Sequence, residues 1–207
     1  MYKLKKEIVR VCKYLVNKNY IGIFDGNISY RIDNKKILIT PKKKNKYNLS
    51  EEDLILIDYN GKKLEGKSEP SGEWQLHCMV YNNRKDINVV VHTHPIFSTA
   101  FSIAGVSFKI PVLVETIPFL DKIKEIKCAS FYSKELVKNV KVYVDKFDIF
   151  LLRNHGLLTL GKDLDEAVFL TEKIEDLAKV VFITKILNKK IKAIPKKEII
   201  KIKNLIN

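Results

Sequence analysis

The sequence contains little cysteine, glycine, proline or histidine. Its 207 residues include three cysteines, eight glycines, six prolines and four histidines. Three scattered cysteines do not supply the paired framework of a small disulfide-rich secreted domain. Low glycine and proline content is untypical of fibrous or disordered chains, and a hydrophobic fraction of 46% predicts a globular protein with a full core.

Long apolar runs are also absent. No run approaches the roughly 18 residues needed to span a bilayer, and the first seven residues lack the apolar core and cleavage site of a signal peptide. We therefore expect a cytoplasmic protein with no membrane partner. We expect residues 1–207 to form a single domain with a basic C-terminal tail over residues 189–207.

Positive charge is abundant, with a formal net charge of +14. Such an excess can attract nucleic acid, a membrane surface or anionic small molecules. Only four of the 38 basic residues are arginine, the side chain that favours bidentate contacts to guanine. Because the lysines are spread along the whole chain, nucleic acid is not the partner we expect.

Hydrophobic spacing predicts alternating helices and strands. Helices are predicted over 3–18, 96–104, 133–142 and 166–187, with one more beginning near an N-cap at Ser71. The strands, besides the one described next, are predicted over 28–31, 36–40, 54–58, 62–66, 110–114, 147–152 and 157–160. Residues 117–126 are ambiguous, and either Asp163 or Asp165 caps the long helix.

The segment Val89–Pro95 is a β-branched run that ends in His92-Thr93-His94. Side chains alternate along a strand, so the two imidazoles should leave one face about 6.5–7 Å apart. Two such imidazoles can bind a single cation, with zinc at roughly 2.0–2.1 Å. His155 lies at a predicted tight turn, where it is either a third ligand or a turn residue. Three histidine ligands leave one position for water or substrate, and such sites occur in several enzyme classes.

Other polar residues have both a structural and a functional interpretation. Glu73 is either a helix-end charge or a general base, and His77 fits a packing or hydrogen-bonding histidine in mid-helix. The glycine–asparagine turn at Asn27 is either a plain hairpin turn or a source of N–H groups for an anion. The loop from Thr40 to Lys46 is either a solvated surface or an anion site.

Five ordered blocks resemble the class II aldolase/adducin family over about residues 5–188, and within it the L-fuculose-1-phosphate aldolase group. Three blocks carry most of this resemblance: Glu69-Pro70-Ser71-Gly72-Glu73-Trp74, Val90-Val91-His92-Thr93-His94 and Asn154-His155-Gly156-Leu157. Two shorter blocks, Gly26-Asn27-Ile28-Ser29 and Ile39-Thr40-Pro41, agree in order and spacing.

The resemblance implies a three-layer α/β/α fold with a mainly antiparallel central sheet. It implies a homotetramer with sites near subunit interfaces. It also implies one Zn²⁺ per subunit on His92, His94 and His155, with Glu73 as catalytic acid/base. The phosphate of the substrate would be bound by Asn27, Thr40, Lys42, Ser71 and Gly72.

The implied reaction is retro-aldol cleavage of a ketose 1-phosphate, such as L-fuculose 1-phosphate, through an enediolate. The products would be dihydroxyacetone phosphate and a short aldehyde such as lactaldehyde. The alternatives are a related sugar-phosphate 4-epimerase, dehydratase or decarboxylase with the same metal site. A non-catalytic, adducin-like assembly module is a further alternative, which the complete set of three histidines and Glu73 disfavours.

The chain departs from the family pattern at three places. Lys42-Lys43 replaces the usual Ser/Thr-Gly, and Gly72 replaces a serine. Cys128 aligns with the family tyrosine, and Tyr132 stands in the place of a glycine. The proton donor to the leaving oxygen is therefore unassigned from sequence.

Overall fold

A computed structural model describes residues 1–187 and 190–206. Its centre is an eight-stranded sheet in the order β4-β3-β2-β1-β5-β8-β7-β6. The strands are β1 Asn27–Arg31, β2 Lys36–Ile39, β3 Ile55–Asp58, β4 Lys63–Glu65, β5 Val89–Thr93, β6 Ile123–Ile126, β7 Ile149–Leu152 and β8 Gly156–Gly161. β6 and β7 are parallel, whereas the six other pairings are antiparallel.

Helices cover both faces of the sheet. They are α1 Tyr2–Asn17, α2 Trp74–Asn83, α3 Ile96–Ala104, α4 Lys134–Lys141, α5 Leu164–Ile186 and α6 Lys196–Ile206, with 3-10 turns at Glu51–Asp53 and Val114–Lys122. α2 and α4 pack on one face, and α1, α3 and α5 pack on the other. The predicted three-layer α/β fold with a mainly antiparallel sheet is thus confirmed.

Strand β5 lies in the middle of the sheet, between β1 and β8. Val90 packs towards α2, whereas Val89 and Val91 pack towards α1 and α5, and all three are fully buried. Each buried valine is worth roughly 1.5–3 kcal/mol in transfer free energy. This anchoring fixes the end of the strand, where the chain leaves through His94 and Pro95.

Two local predictions are wrong. Residues 110–114 do not form a strand. They pack against the core without regular secondary structure, and the Val112 N–H forms a local hydrogen bond to the Ile110 carbonyl oxygen. Ser71 does not cap α2, because Glu73 occupies the N-cap position and Ser71 Oγ accepts the Glu73 N–H at 3.3 Å. Ser133 and Asp163 do cap α4 and α5.

The basic tail contains α6, which packs against the 3-10 turn over Val114–Lys122. The Ile194 N–H donates to the Pro111 carbonyl at 2.7 Å, and Lys203 pairs with Asp121. Lys189 and Asn207 of the predicted tail lie outside the described residues. Within the residues described, no helix is long and apolar enough to cross a membrane.

Candidate active site

The structure brings His92, His94 and His155 together at the end of β5. His92 Nε2 lies 3.0 Å from His94 Nε2 and 3.2 Å from His155 Nε2. Three imidazole nitrogens this close to one another form a group that could hold a metal ion. A set of nitrogen donors suits zinc and several other divalent transition metals.

The sheet register and one glycine produce this arrangement. Thr93 on β5 is paired with Leu157 on β8, so the turn before β8 lies beside the end of β5. A Cβ atom at Gly156 would lie 2.3 Å from the Thr93 carbonyl oxygen and 2.7 Å from His94 Cδ2. Only glycine lets this turn, and His155 with it, approach the other two histidines.

The second ring nitrogen, Nδ1, of both His92 and His94 has a polar neighbour that orients the imidazole. His92 Nδ1 is 3.0 Å from the Leu157 carbonyl oxygen, so Nδ1 carries the hydrogen and Nε2 keeps its lone pair for a metal. His94 Nδ1 lies 3.6 Å from Asp25 Oδ2, and the His94 imidazole holds the pKa of Asp25 below its ordinary value. Burial and the two neighbouring imidazoles lower the pKa of His92 well below the usual range. The lowered pKa of His92 favours its neutral imidazole, the form that binds metal.

Glu73 completes the cluster from the N-terminal end of α2. It is 5% exposed; its Oε2 lies 3.4 Å from His92 Nε2 and its Oε1 lies 3.6 Å from His155 Nε2. Within the described part of the chain, Oε1 is buried without a hydrogen-bond partner. An unpartnered buried carboxylate oxygen beside three imidazoles fits a site that takes a cation or a substrate proton.

A pocket of about 240 Å³ opens beside this cluster. It is lined by Glu73, His94 and His155 of this cluster and by Lys42, Lys43 and Lys46. Asn27, Ser71 and Gly72, all predicted at a phosphate site, also border it. Thr40, predicted beside them, is instead fully buried, and its Oγ1 accepts the Ile28 N–H at 3.1 Å.

Sequence reasoning missed the position of Lys46. Its side chain is 2% exposed, and Nζ donates to the carbonyl oxygens of Pro41 at 3.2 Å and Lys44 at 3.0 Å. Buried lysines are uncommon. Nothing distinguishes Lys46 from its lysine neighbours in the sequence, because the loop fold alone turns it inward.

Tyr132 is a second pocket residue that was not assigned from sequence. Its ring occupies the space over Gly72, where a Cβ atom would lie 2.6 Å from two ring carbons. Lys42 Nζ lies 5.1 Å from the centre of the same ring. Burial and the charge of Glu73 raise the pKa of Tyr132, so its phenol stays protonated at neutral pH. Cys128, by contrast, is exposed.

Comparisons with known proteins show which family this chain resembles. The family described as "Class II Aldolase and Adducin N-terminal domain" matches residues 6–182. An L-fuculose phosphate aldolase of Methanococcus maripaludis is 36% identical over 177 residues, covering 86% of this chain and 95% of the relative. That of Escherichia coli is 34% identical over 185 residues, covering 88% of this chain and 84% of the relative. A solved L-fuculose 1-phosphate aldolase superposes with a TM-score of 0.83 at 25% identity, covering 100% of this chain and 97% of that one.

Proposed function

The chain belongs to the class II aldolase and adducin N-terminal domain family, and we propose that it is a zinc-dependent sugar-phosphate aldolase. The proposed substrate is a ketose 1-phosphate such as L-fuculose 1-phosphate, cleaved to dihydroxyacetone phosphate and lactaldehyde. One observation carries the proposal: the pocket beside the histidine cluster is lined both by Glu73, His94 and His155 and by Lys42, Lys43 and Lys46. That pairing suits a substrate with vicinal oxygens at one end and a phosphate at the other.

The proposed metal ligands are His92, His94 and His155. Their Nε2 atoms converge, and the hydrogen bond from His92 Nδ1 to Leu157 leaves Nε2 unprotonated. A divalent metal bound there would act as a Lewis acid on the substrate oxygens and stabilise the negative charge of the enediolate. We name zinc because nitrogen donors in an open set of three suit it.

Glu73 is the proposed acid/base. Its carboxylate faces the histidine cluster, is almost fully buried, and has one oxygen without a partner among the described residues. In cleavage it would return a proton to the enediolate carbon of dihydroxyacetone phosphate, and in condensation it would remove that proton. Proton transfer of this kind contributes about 10²–10⁴-fold to an enzymatic rate.

The proposed phosphate end consists of Lys42, Lys43 and Lys46, with Ser71 and the Gly72 backbone. Lysine ammonium groups bind phosphate as point charges without the fixed geometry of a bidentate side chain. Asn27 borders this end but also donates to Glu73, at 2.8 Å. We leave Thr40 out, because its side chain is fully buried and does not line the pocket.

Tyr132 is the proposed proton donor to the aldehyde oxygen in condensation. In cleavage, the reverse reaction, its ionised phenolate would accept the proton of the substrate hydroxyl. It lines the same pocket as Glu73 and His155. A raised pKa keeps its hydroxyl proton in place until the oxygen of the substrate gains charge.

We also propose that the protein assembles as a homotetramer, folds as a single domain and is located in the cytoplasm. Apolar side chains on α3 and the end of α5 are exposed, among them Ile96, Ile103 and Ile186, and such a face supports the fourfold assembly that the resemblance implies. One sheet spans residues 27–161, which supports a single domain. The unpaired thiols of Cys12 and Cys78 are stable in a reducing compartment.

The test is a coupled assay that follows dihydroxyacetone phosphate released from L-fuculose 1-phosphate. We expect release by the zinc-loaded protein and a loss of about 10²–10⁴-fold in kcat for Glu73→Gln, which should keep its zinc. Zinc-loaded protein that releases no dihydroxyacetone phosphate would contradict the proposed reaction. Products of epimerisation, dehydration or decarboxylation would then be sought in the same mixture.

A further inference from the structure

A chain of buried side chains runs from the interior of the protein to Glu73. Asn27 Nδ2 donates to Glu73 Oε2 at 2.8 Å, and Asn27 Oδ1 lies 2.5 Å from His77 Nε2. His77 Nδ1 lies 2.6 Å from Ser29 Oγ, which is 2.7 Å from the hydroxyl of Tyr81. β1 supplies Asn27 and Ser29, and α2 supplies His77 and Tyr81.

Every member of this chain is removed from solvent. Ser29, His77 and Tyr81 are 0% exposed, and Asn27 is 6% exposed. Burial lowers the pKa of His77 to about 3, so its imidazole is neutral and carries one N–H. A neutral imidazole has one donor and one acceptor, and both nitrogens are used here.

The Glu73 carboxylate, the last group in this series of hydrogen bonds, determines which atoms of the other side chains donate. Glu73 is an acceptor when ionised, so Asn27 must turn its NH₂ group towards it and its carbonyl towards His77. His77 must then carry its hydrogen on Nε2 and accept from Ser29 through Nδ1. The opposite tautomer would favour rotation of the Asn27 amide, which would set a carbonyl oxygen against the carboxylate.

We propose that His77 is a positioning residue: by donating to Asn27 it fixes the amide that holds Glu73 Oε2, and so leaves Oε1 as the oxygen that exchanges the proton. The inference rests on the proposed function of Glu73. Within the described residues, Oε2 has a hydrogen-bond donor and Oε1 has none. The two oxygens of one carboxylate therefore have separate roles, one held and one reactive.

The kinetic experiment compares His77→Phe with His77→Gln in zinc-loaded protein. Phenylalanine fills the space without a donor, whereas glutamine can donate to Asn27 and accept from Ser29. We expect His77→Phe to lower kcat for cleavage by roughly 10–100-fold, with KM and zinc content unchanged, and His77→Gln to recover most of this loss. The exchange of solvent deuterium into dihydroxyacetone phosphate should fall in parallel, because that half-reaction depends on Glu73 without any carbon–carbon step.

The matched control is Thr171→Val, which removes a buried hydroxyl bonded at 2.9 Å to Thr159 on the other side of the sheet. It should lower the melting temperature without changing kcat. Full kcat in zinc-loaded His77→Phe, or a His77→Gln variant no better than it, would overturn the inference.

A second readout does not require activity or variants. ¹⁵N chemical shifts of the wild-type histidines report which ring nitrogen carries the hydrogen. We expect His77 in the Nε2–H form from pH 5 to pH 8, and the Nδ1–H form would overturn the inference. Failure of the proposed function is separately visible, because wild-type protein would then neither cleave the substrate nor exchange deuterium.

Discussion

Gly156 offers a direct test of how the backbone builds the proposed metal site. A Cβ atom at this position would lie 2.3 Å from the Thr93 carbonyl oxygen and 2.7 Å from His94 Cδ2. The Thr93 carbonyl cannot move easily, because Thr93 is fixed in the central pairing of β5 with β8. Gly156→Ala should therefore force the turn that carries His155 away from His92 and His94.

We expect Gly156→Ala to lower two quantities, the free energy of unfolding and the affinity for zinc. Overpacking of this kind destabilises by about 1–3 kcal/mol, which for a chain of this length lowers Tm by roughly 2–12 °C. Displacing a ligand should also weaken zinc binding by at least about 10-fold, the effect of disturbing ligand orientation at metal sites. Calorimetric melting of the metal-free protein and competition for zinc against a chromophoric chelator measure the two quantities separately.

Gly161→Ala is the matched control on the same strand. Its Cβ atom would lie 2.7 Å from the Ala167 nitrogen and 2.8 Å from the Asp163 carbonyl oxygen, away from the histidines. It should lower Tm as well but leave zinc affinity unchanged. Wild-type zinc affinity in Gly156→Ala would contradict this role of Gly156, because the close approach of this turn would then not determine how the histidines bind the metal.

Three further predictions concern the pocket and its surroundings. Lys42→Ala should raise KM for a phosphorylated substrate while zinc content stays constant, and an unchanged KM would leave Lys42 without a role in phosphate binding. The control is Lys67→Ala, at an exposed lysine that does not line the pocket. Tyr132→Phe should lower kcat for cleavage but retain deuterium exchange into dihydroxyacetone phosphate, so equal loss of both would argue against its role as proton donor. Since the folded pKa of His77 is about 3 and that of free histidine about 6.5, the unfolded chain binds its proton first on acidification. The free energy of unfolding of metal-free protein should therefore fall below about pH 6.5, and denaturant titrations should find a smaller fall in His77→Gln.

Local sequence patterns determine the predictable part of the fold. The valine run and the following proline predict a strand that ends at the histidines, and β5 is observed over Val89–Thr93. Helical spacing predicts α3 at its observed bounds, Ile96–Ala104. These patterns depend on neighbours a few residues apart, which one sequence displays directly.

Features that depend on distant parts of the chain were not predictable in this way. Ile110 and Val112 have strand-like composition, yet they pack at the edge of the core and no described strand pairs with them. Lys46 turns inward because carbonyl oxygens of its own loop surround its ammonium group. The space over Gly72 that Tyr132 occupies depends on contact between segments sixty residues apart.

The proposed mechanism requires a zinc ion on the three histidines for aldol cleavage. The most direct measurement is to strip the protein with a chelator, add zinc back in steps, and follow the release of dihydroxyacetone phosphate from L-fuculose 1-phosphate at each occupancy. We expect release to rise linearly until about one zinc per chain is bound, the stoichiometry of one three-histidine site, and then to stay constant. Full release of dihydroxyacetone phosphate by the stripped protein would contradict this requirement for zinc. Zinc binding that restores no release would contradict it as well.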